Sequence, residues 1–337
     1  MRISILDQSP ITVDMAPADA LHNTVDLARH ADRLGYHRYW IAEHHSMASH
    51  ASSAPEILVA RVAAETTGIR VGSGGVLLSN HSAFKVAETF SILEGLYPGR
   101  IDLGIGRSFG AGSLEAIALS SQRSGSPTVE DFPEKLAELL AFLHGDFPPG
   151  HPFATIDLTP RVPEAPPVWL LGSSPSSAAF TAANGLPYSY AHFINPAGTR
   201  DAVRAYLEHF EPSRHTPEPR VILGIGVYCG DTEEEAQYVY ASQRLFRRRL
   251  TRNIIGPVPS PEQALEELKT GGDPLAEERF EWPRYVVGTP EQVRERITEI
   301  TSALGVDEIV VLATIYDHKA RVRSYELLAE AFELTPR

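Results

Sequence analysis

Cysteine is nearly missing from this sequence: among 337 residues there is one, Cys229. That excludes an intrachain disulfide and any multi-cysteine metal site, and leaves Cys229 to be read as a small buried apolar residue near a strand end. No uncharged apolar run reaches the roughly 18 residues of a membrane span. The amino terminus, Met1 to Pro10, has one basic residue and too short an apolar run for a signal peptide, so a cytoplasmic protein is expected. Basic residues are outnumbered, 30 against 43 acidic, and the formal net charge of −13 argues against a nucleic-acid or anionic-membrane partner. Also missing is a glycine-rich turn after the first strand. Where a dinucleotide-binding fold has its fingerprint, the chain reads Asp7-Gln8-Ser9-Pro10.

What is present is alternation. Apolar stretches predict strands at Ile3 to Leu6, Arg38 to Ala42, Arg70 onward, Ile101 onward, Val168 to Leu171, Tyr188 to Ala191, Val221 to Tyr228 and Glu308 to Thr314. Segments with helical spacing lie between them, several opened by proline or by a capping threonine such as Thr232 or Thr289. Eight strands and eight or more helices in strict order predict a single (β/α)8 barrel over residues 1–337, with a doubly wound sheet as the runner-up. Two segments break the order. Ser108 to Pro127 is small and polar and reads as a loop. Thr251 to Gly288 is a long insertion between strand seven and the last crossover helix, with one short helix near Pro261 to Lys269. Connections longer than roughly 15 residues are usually functional or disordered, and this one is expected to act as a lid.

The chain appears organised around Arg70 to Ser108, a strand–helix–strand unit whose two strands deliver Gly74-Gly75 and Arg107 to one mouth. In a parallel barrel the loops after the strands carry the chemistry, so polar residues at strand ends are the candidates. Strand two ends in Glu43-His44-His45. Adjacent histidines on a strand end point in opposite directions, so no metal is expected there. Strand five runs into Gly172-Ser173-Ser174-Pro175-Ser176-Ser177 at the start of a helix, where hydroxyls and free amides make a phosphate site that Arg107 can neutralise.

These runs, together with Val71 to Leu78, Asn80-His81-Ser82, Gly99 to Arg107, Gly185-Leu186-Pro187 and Tyr316-Asp317-His318, resemble the bacterial luciferase-like flavin monooxygenases. Within that family the similarity is to the alkanal-monooxygenase-like branch. The resemblance implies a barrel that binds reduced FMN, supplied by a separate NAD(P)H:flavin reductase, and uses it to activate dioxygen at the flavin C4a for oxidation of a small organic substrate. His44 matches the family's active-site histidine, an acid–base group expected to titrate near neutrality, and Glu43 its supporting acid. Gly74-Gly75 match the bulged pair under the flavin ring, where relatives hold a non-prolyl cis peptide; Arg107, Ser174 and Ser177 match phosphate contacts. Asn80 belongs to the matching turn. Luciferase itself has a glutamate in place of Ser173, so Ser173 is a cofactor candidate on the serine run alone. Ser108 to Gly112 lacks a proline common in the branch.

Three rivals stay open: an F420-dependent oxidoreductase, a flavin-binding or storage protein without turnover, and a metal-dependent hydrolase. The resemblance also implies a homodimer through the helices beside strands two and three, with Ile57, Val62, Val86 and Phe90 as interface residues.

Overall fold

The computed structural model describes residues 1–108, 113–119, 131–214, 216–273, 275 and 278–337. Successive strand residues point to opposite sides, and the apolar ones sort accordingly. In β1 (Arg2–Asp7) Ile3 and Ile5 join the large outer core against the helices, while Leu6 joins a smaller cluster inside the barrel. In β2 (Arg38–Ile41) Tyr39 and Ile41 belong to the outer core and Trp40 to the inner one, with Trp169, Ile222, Val310 and Leu312.

The strands β1, β2, β3 (Arg70–Leu77), β4 (Ile101–Gly106), β5 (Val168–Gly172), β6 (Tyr188–Ala191) and β7 (Val221–Cys229) pair in sequence, all parallel. Then β7 pairs with β9 (Glu308–Leu312) and β9 with β1, which closes an eight-stranded barrel. The crossovers are α1 (Pro17–Leu34), α2 (Pro55–Glu65), α3 (Ala83–Leu96), α4 (Ser113–Leu119) with α5 (Phe132–His144), α6 (Pro175–Ala183) and α7 (Thr199–Glu208). The helices α8 (Glu233–Thr251), α9 (Pro261–Gly271) and α10 (Pro290–Leu304) lie between β7 and β9, and α11 (His318–Ala331) ends the chain's regular structure. No described helix is long and apolar enough to cross a membrane.

The eight barrel strands are the eight expected ones, but the insertion holds a ninth. Tyr285–Gly288 forms β8, which runs parallel to the outer half of β7 from Gly226 to Cys229, while Ile222 to Gly226 of β7 stays paired with β9. One nine-residue strand thus serves both the barrel and the insertion. The segment expected to be loop after β4, Ser108 to Pro127, contains α4; its residues 109–112 and 120–127, including most of the proline-less stretch up to Gly112, lie outside the described ones. Of the expected dimer residues, Val62, Val86 and Phe90 are buried on the protein's own barrel, and Ile57 is exposed. Their apolar spacing served the intramolecular core.

The end of the barrel opposite the site is pinned by buried charge. Arg38 donates to Asp102 (2.7 Å) and Glu308 (2.6 Å), and Arg70 pairs with Asp102 (2.6 Å). Each carboxylate has a guanidinium partner, which burial demands. The other end is left for chemistry.

Candidate active site

Glu43 is the hub of the β2 end. Its carboxylate is buried; Oε1 accepts hydrogen bonds from His45 Nε2 (2.7 Å) and His81 Nε2 (2.8 Å), and Oε2 accepts the Leu77 backbone N–H (2.9 Å). Burial alone pushes such a carboxyl up, but the hydrogen bonds and charge of His81, with His45 and Leu77, outweigh it and hold Glu43 below its ordinary value. For His81 burial works downward, and the hydrogen bond and charge of Glu43 outweigh it to raise the imidazole. Glu43 and His81 thus each favour the charged form of the other. Glu43, His45 and His81 also have the donor set of a metal site. The adjacent-histidine argument missed this, because the second imidazole comes from the turn after β3 and not from His44.

His44 differs from the expectation of near-neutral titration. Burial holds its imidazole down to about 4, with Glu43 the chief opposing influence. It stacks on His50 with ring centroids 4.3 Å apart, and burial lowers that ring to about 3. Both are neutral at pH 7. The Nδ1 of His44 is buried with no hydrogen-bond partner among the described residues. A neutral, unsatisfied imidazole at a cavity wall is ready to exchange a hydrogen bond with a ligand.

The cavity it lines has a volume of about 560 Å³, within the range of small-molecule and cofactor sites. Its walls are Leu6, Trp40, Ala42, Leu77, Leu171 and Val310 from inward strand positions. Of the nine residues singled out from sequence, Glu43, His44, Gly74, Gly75, Arg107, Ser173, Ser174 and Ser177 meet at this cavity. Asn80 does not; it is buried in a 3-10 turn, Leu78–Asn80, behind the wall.

Gly74 and Gly75 form a bulge in β3. The register advances three residues from Ser73 to Val76 while β4 advances two, from Leu103 to Ile105. The Gly74–Gly75 peptide is cis. A Cβ on Gly75 would lie 2.7 Å from the Gly104 carbonyl oxygen, and one on Gly74 would lie 2.6 Å from Leu6 Cδ1. Gly75 is therefore required by the barrel's own packing against the Gly104 backbone, whereas a side chain at Gly74 would displace Leu6.

At the β5 end, Ser174 caps α6: its hydroxyl accepts the Ser177 N–H (3.2 Å), and the Ser174 N–H donates to Ser177 Oγ (3.3 Å). Pro175 fills the first helical position. Arg107, one residue past β4, is exposed at the same wall. Its backbone is fixed from behind, since Ser79 Oγ donates to the Arg107 carbonyl (2.9 Å) and Lys135 Nζ donates to the carbonyls of Ser79 (2.7 Å) and His81 (3.2 Å). A cation, hydroxyls and a helix N-terminus thus line one cavity, from the adjacent ends of β4 and β5.

Sequence reasoning missed Gln8, Ser189, Phe193 and Ile194, which also line the cavity. The inward register of β1 and β6 was the available signal: Ser4, Leu6 and Gln8 follow one another at every second position. None of the described residues between Thr251 and Gly288 lines the cavity. That segment reaches the site indirectly, through Arg284 and Pro283, which hold the loop carrying Phe193 and Ile194.

Comparison with known proteins places this geometry. The model of the family described as luciferase-like monooxygenase matches residues 1–308. The crystal structure of apo-MsnO8 superposes with a TM-score of 0.94 at 50% identity, covering 100% of this chain and 99% of that one. The uncharacterized protein YceB of Bacillus subtilis is 43% identical over 98% of this chain and 99% of its own length. The N-acetyl-S-alkylcysteine monooxygenase of the same organism is 37% identical over 98% of each. With a closed parallel barrel, the bulged glycine pair and the Glu43-His44-His45 strand end all in place, the chain belongs to the luciferase-like monooxygenase family.

Proposed function

We propose that this protein is a flavin-dependent monooxygenase. In this reading it binds reduced FMN delivered by a separate flavin reductase and inserts one oxygen atom of O2 into a small organic substrate. The flavin supplies two electrons, and the second oxygen atom leaves as water. The observation that carries the reading is the composition of one cavity: an anion corner at Arg107, Ser174 and Ser177 on one side, and the unpartnered buried Nδ1 of His44 on another. The residues fit the group. Arg107 and the α6 N-terminus would hold its phosphate, and the Gly74-Gly75 backbone, free of side chains, would face its ring.

The remaining work falls to the protein's own groups. Trp40, Leu6, Leu77 and Val310 exclude water from the cavity floor. His44, neutral at pH 7, lines the cavity, and its imidazole can exchange a hydrogen bond with a ligand hydroxyl or N–H. Glu43 anchors the strand end that presents His44 by tying it to Leu77 and His81. The similarity to an N-acetyl-S-alkylcysteine monooxygenase supports thioethers as the first substrates to try.

The test is anaerobic titration with reduced FMN and with reduced F420, followed by oxygen uptake with and without substrate. Binding of reduced FMN and substrate-dependent oxygen consumption support the reading. Tight binding of F420 with no oxygen uptake would replace it with deazaflavin hydride transfer, and FMN binding without turnover would leave a storage protein.

A further inference from the structure

The turn after β1 is fixed more firmly than a loop requires. Asp7 is fully buried; its Oδ1 accepts from Arg321 Nη2 (2.7 Å) and from the Ser9 backbone N–H (2.8 Å), and its Oδ2 accepts from the Tyr39 hydroxyl (2.6 Å). Arg321, buried on α11, donates its Nε to the Ala313 carbonyl (3.2 Å), and Ser9 Oγ pairs with Thr24 Oγ1 (2.7 Å). Ser9 itself sits at φ 48°, in the left-handed region that a residue with a side chain occupies only when its surroundings over-determine it. Such backbone strain gathers at sites that must hold a group in place.

The residue that this turn presents is Gln8. It continues the inward register of Ser4 and Leu6 and lines the same cavity as His44, Leu6 and Val310. No described residue takes up the hydrogen bonds of its carboxamide, and it is not among the groups with further partners. In the closed strand order β1 stands four strands from β5 by either route, so Gln8 faces the anion corner from across the mouth. Beside it in the lining are the apolar Leu6 of β1 and Val310 of the adjacent β9, and on the other side Ala42, Glu43 and His44 at the end of the adjacent β2. Among the described lining residues the only Lys or Arg is Arg107, from the end of β4.

We propose that Gln8 is a specificity-determining residue whose carboxamide pairs with a neutral amide or carbonyl head group on the substrate. An amide side chain offers one acceptor and two donors, the complement of another amide, and among the described lining residues no Lys or Arg stands beside it to pair with a carboxylate. A half-buried polar group that a bound substrate would cover disfavours molecules that leave it unpaired. The assignment rests on the flavin reading above, with the phosphate corner occupied by the cofactor and Gln8 left for the substrate.

The experiment uses FMN-loaded protein and two probes, N-acetyl-S-benzylcysteinamide and benzyl methyl sulfide, which share a thioether and differ in the amide head. Wild-type protein is expected to favour the amide in kcat/KM. In Gln8→Met, of similar shape without the hydrogen bonds, the amide-to-sulfide ratio of kcat/KM should fall about tenfold, mostly through the amide's KM, while FMN affinity stays at the wild-type value. Gln8→Glu, which keeps the shape but loses the donor, should show the same fall. An equal loss on both probes, an unchanged ratio, a drop in FMN affinity, or oxidation of neither probe by FMN-loaded wild type overturns the assignment to Gln8. Failure of wild type to bind FMN at all overturns the flavin reading, and this assignment with it.

Discussion

Arg284 holds the main chain at Phe193: its Nη1 donates to the Phe193 carbonyl (3.0 Å) and to that of Ile194 (2.7 Å), while Nε and Nη2 grip the Glu278 carboxylate (2.8 and 2.7 Å). Beside it, His192 Nε2 donates to the Pro283 carbonyl (2.8 Å). Phe193 and Ile194 are cavity wall, so the insertion acts on the site by bracing that wall from outside. Arg284→Met leaves two carbonyls and a carboxylate without their donor. The expected result is a loss of about 3 kcal/mol in stability, and faster amide exchange confined to residues 192–198 and 278–284. Exchange that rises uniformly over the barrel would deny the bracing role.

Glu43→Gln keeps the size of the hub and removes its charge. The carboxamide nitrogen then faces imidazole N–H groups or the Leu77 N–H, so one donor is left opposing another. A cost of about 2–4 kcal/mol follows from breaking one partner of a buried charged pair. His81, raised by Glu43 in the wild type, should titrate lower in the variant, which NMR of its ring protons reads directly. An unmoved His81 would show that Glu43 is not the source of the shift.

The barrel was legible because its signals are local. Alternation in Ile3 to Leu6 or Ile101 to Ile105 repeats every second residue, and the caps at Thr232 and Thr289 sit within three residues of the amides they accept from, Glu235 and Gln292. The parts that were not legible depend on what the chain meets after folding. β8 has four residues and exists because it finds the outer half of β7. The Glu43–His81 contact is made by the adjacency of β2 and β3. His44 was recognisable as a site residue, but its charge state follows from burial, which a motif does not contain. Val62, Val86 and Phe90 show the same limit, since an apolar helix face does not say whether it meets a barrel or a partner.

The stacked pair His44 and His50 should shape stability against pH. Both are held neutral in the fold, down to about 4 and about 3, while in the unfolded chain each binds a proton near 6.5. Above that value they are neutral in both states and contribute no pH dependence. As pH falls from 6.5 toward 4 the unfolded state takes up protons that the fold refuses, so each costs up to about 1.4 kcal/mol per pH unit. His81, raised in the fold, works in the opposite sense, adding stability below 6.5 that is lost as pH rises through its folded value. Denaturant melts of His50→Gln between pH 7 and 4.5 should show a shallower decline than wild type by about one proton. An identical slope would place both titrations elsewhere.

The anion corner gives the sharpest separation between binding modes. Arg107 is exposed and lines the cavity beside Ser173, Ser174 and Ser177 with no hydrogen bond to these described residues, so removing it leaves the barrel intact. Ser177 is different: its hydroxyl donates to the Ser174 carbonyl (2.7 Å) and pairs with the Tyr188 hydroxyl (2.8 Å), so Ser177→Ala disturbs the α6 cap as well as the corner. Comparing FMN with riboflavin isolates the phosphate. Arg107→Ala should weaken FMN by roughly tenfold to a hundredfold, the range for a hydrogen bond to a charged group, and leave riboflavin affinity unchanged. Arg107→Lys should fall between, keeping the charge but losing the two-pronged geometry. The effect should also shrink at high salt, because the corner is open to solvent. If Arg107→Ala weakens FMN and riboflavin by the same factor, the guanidinium serves the shape of the mouth, and the phosphate must lie elsewhere.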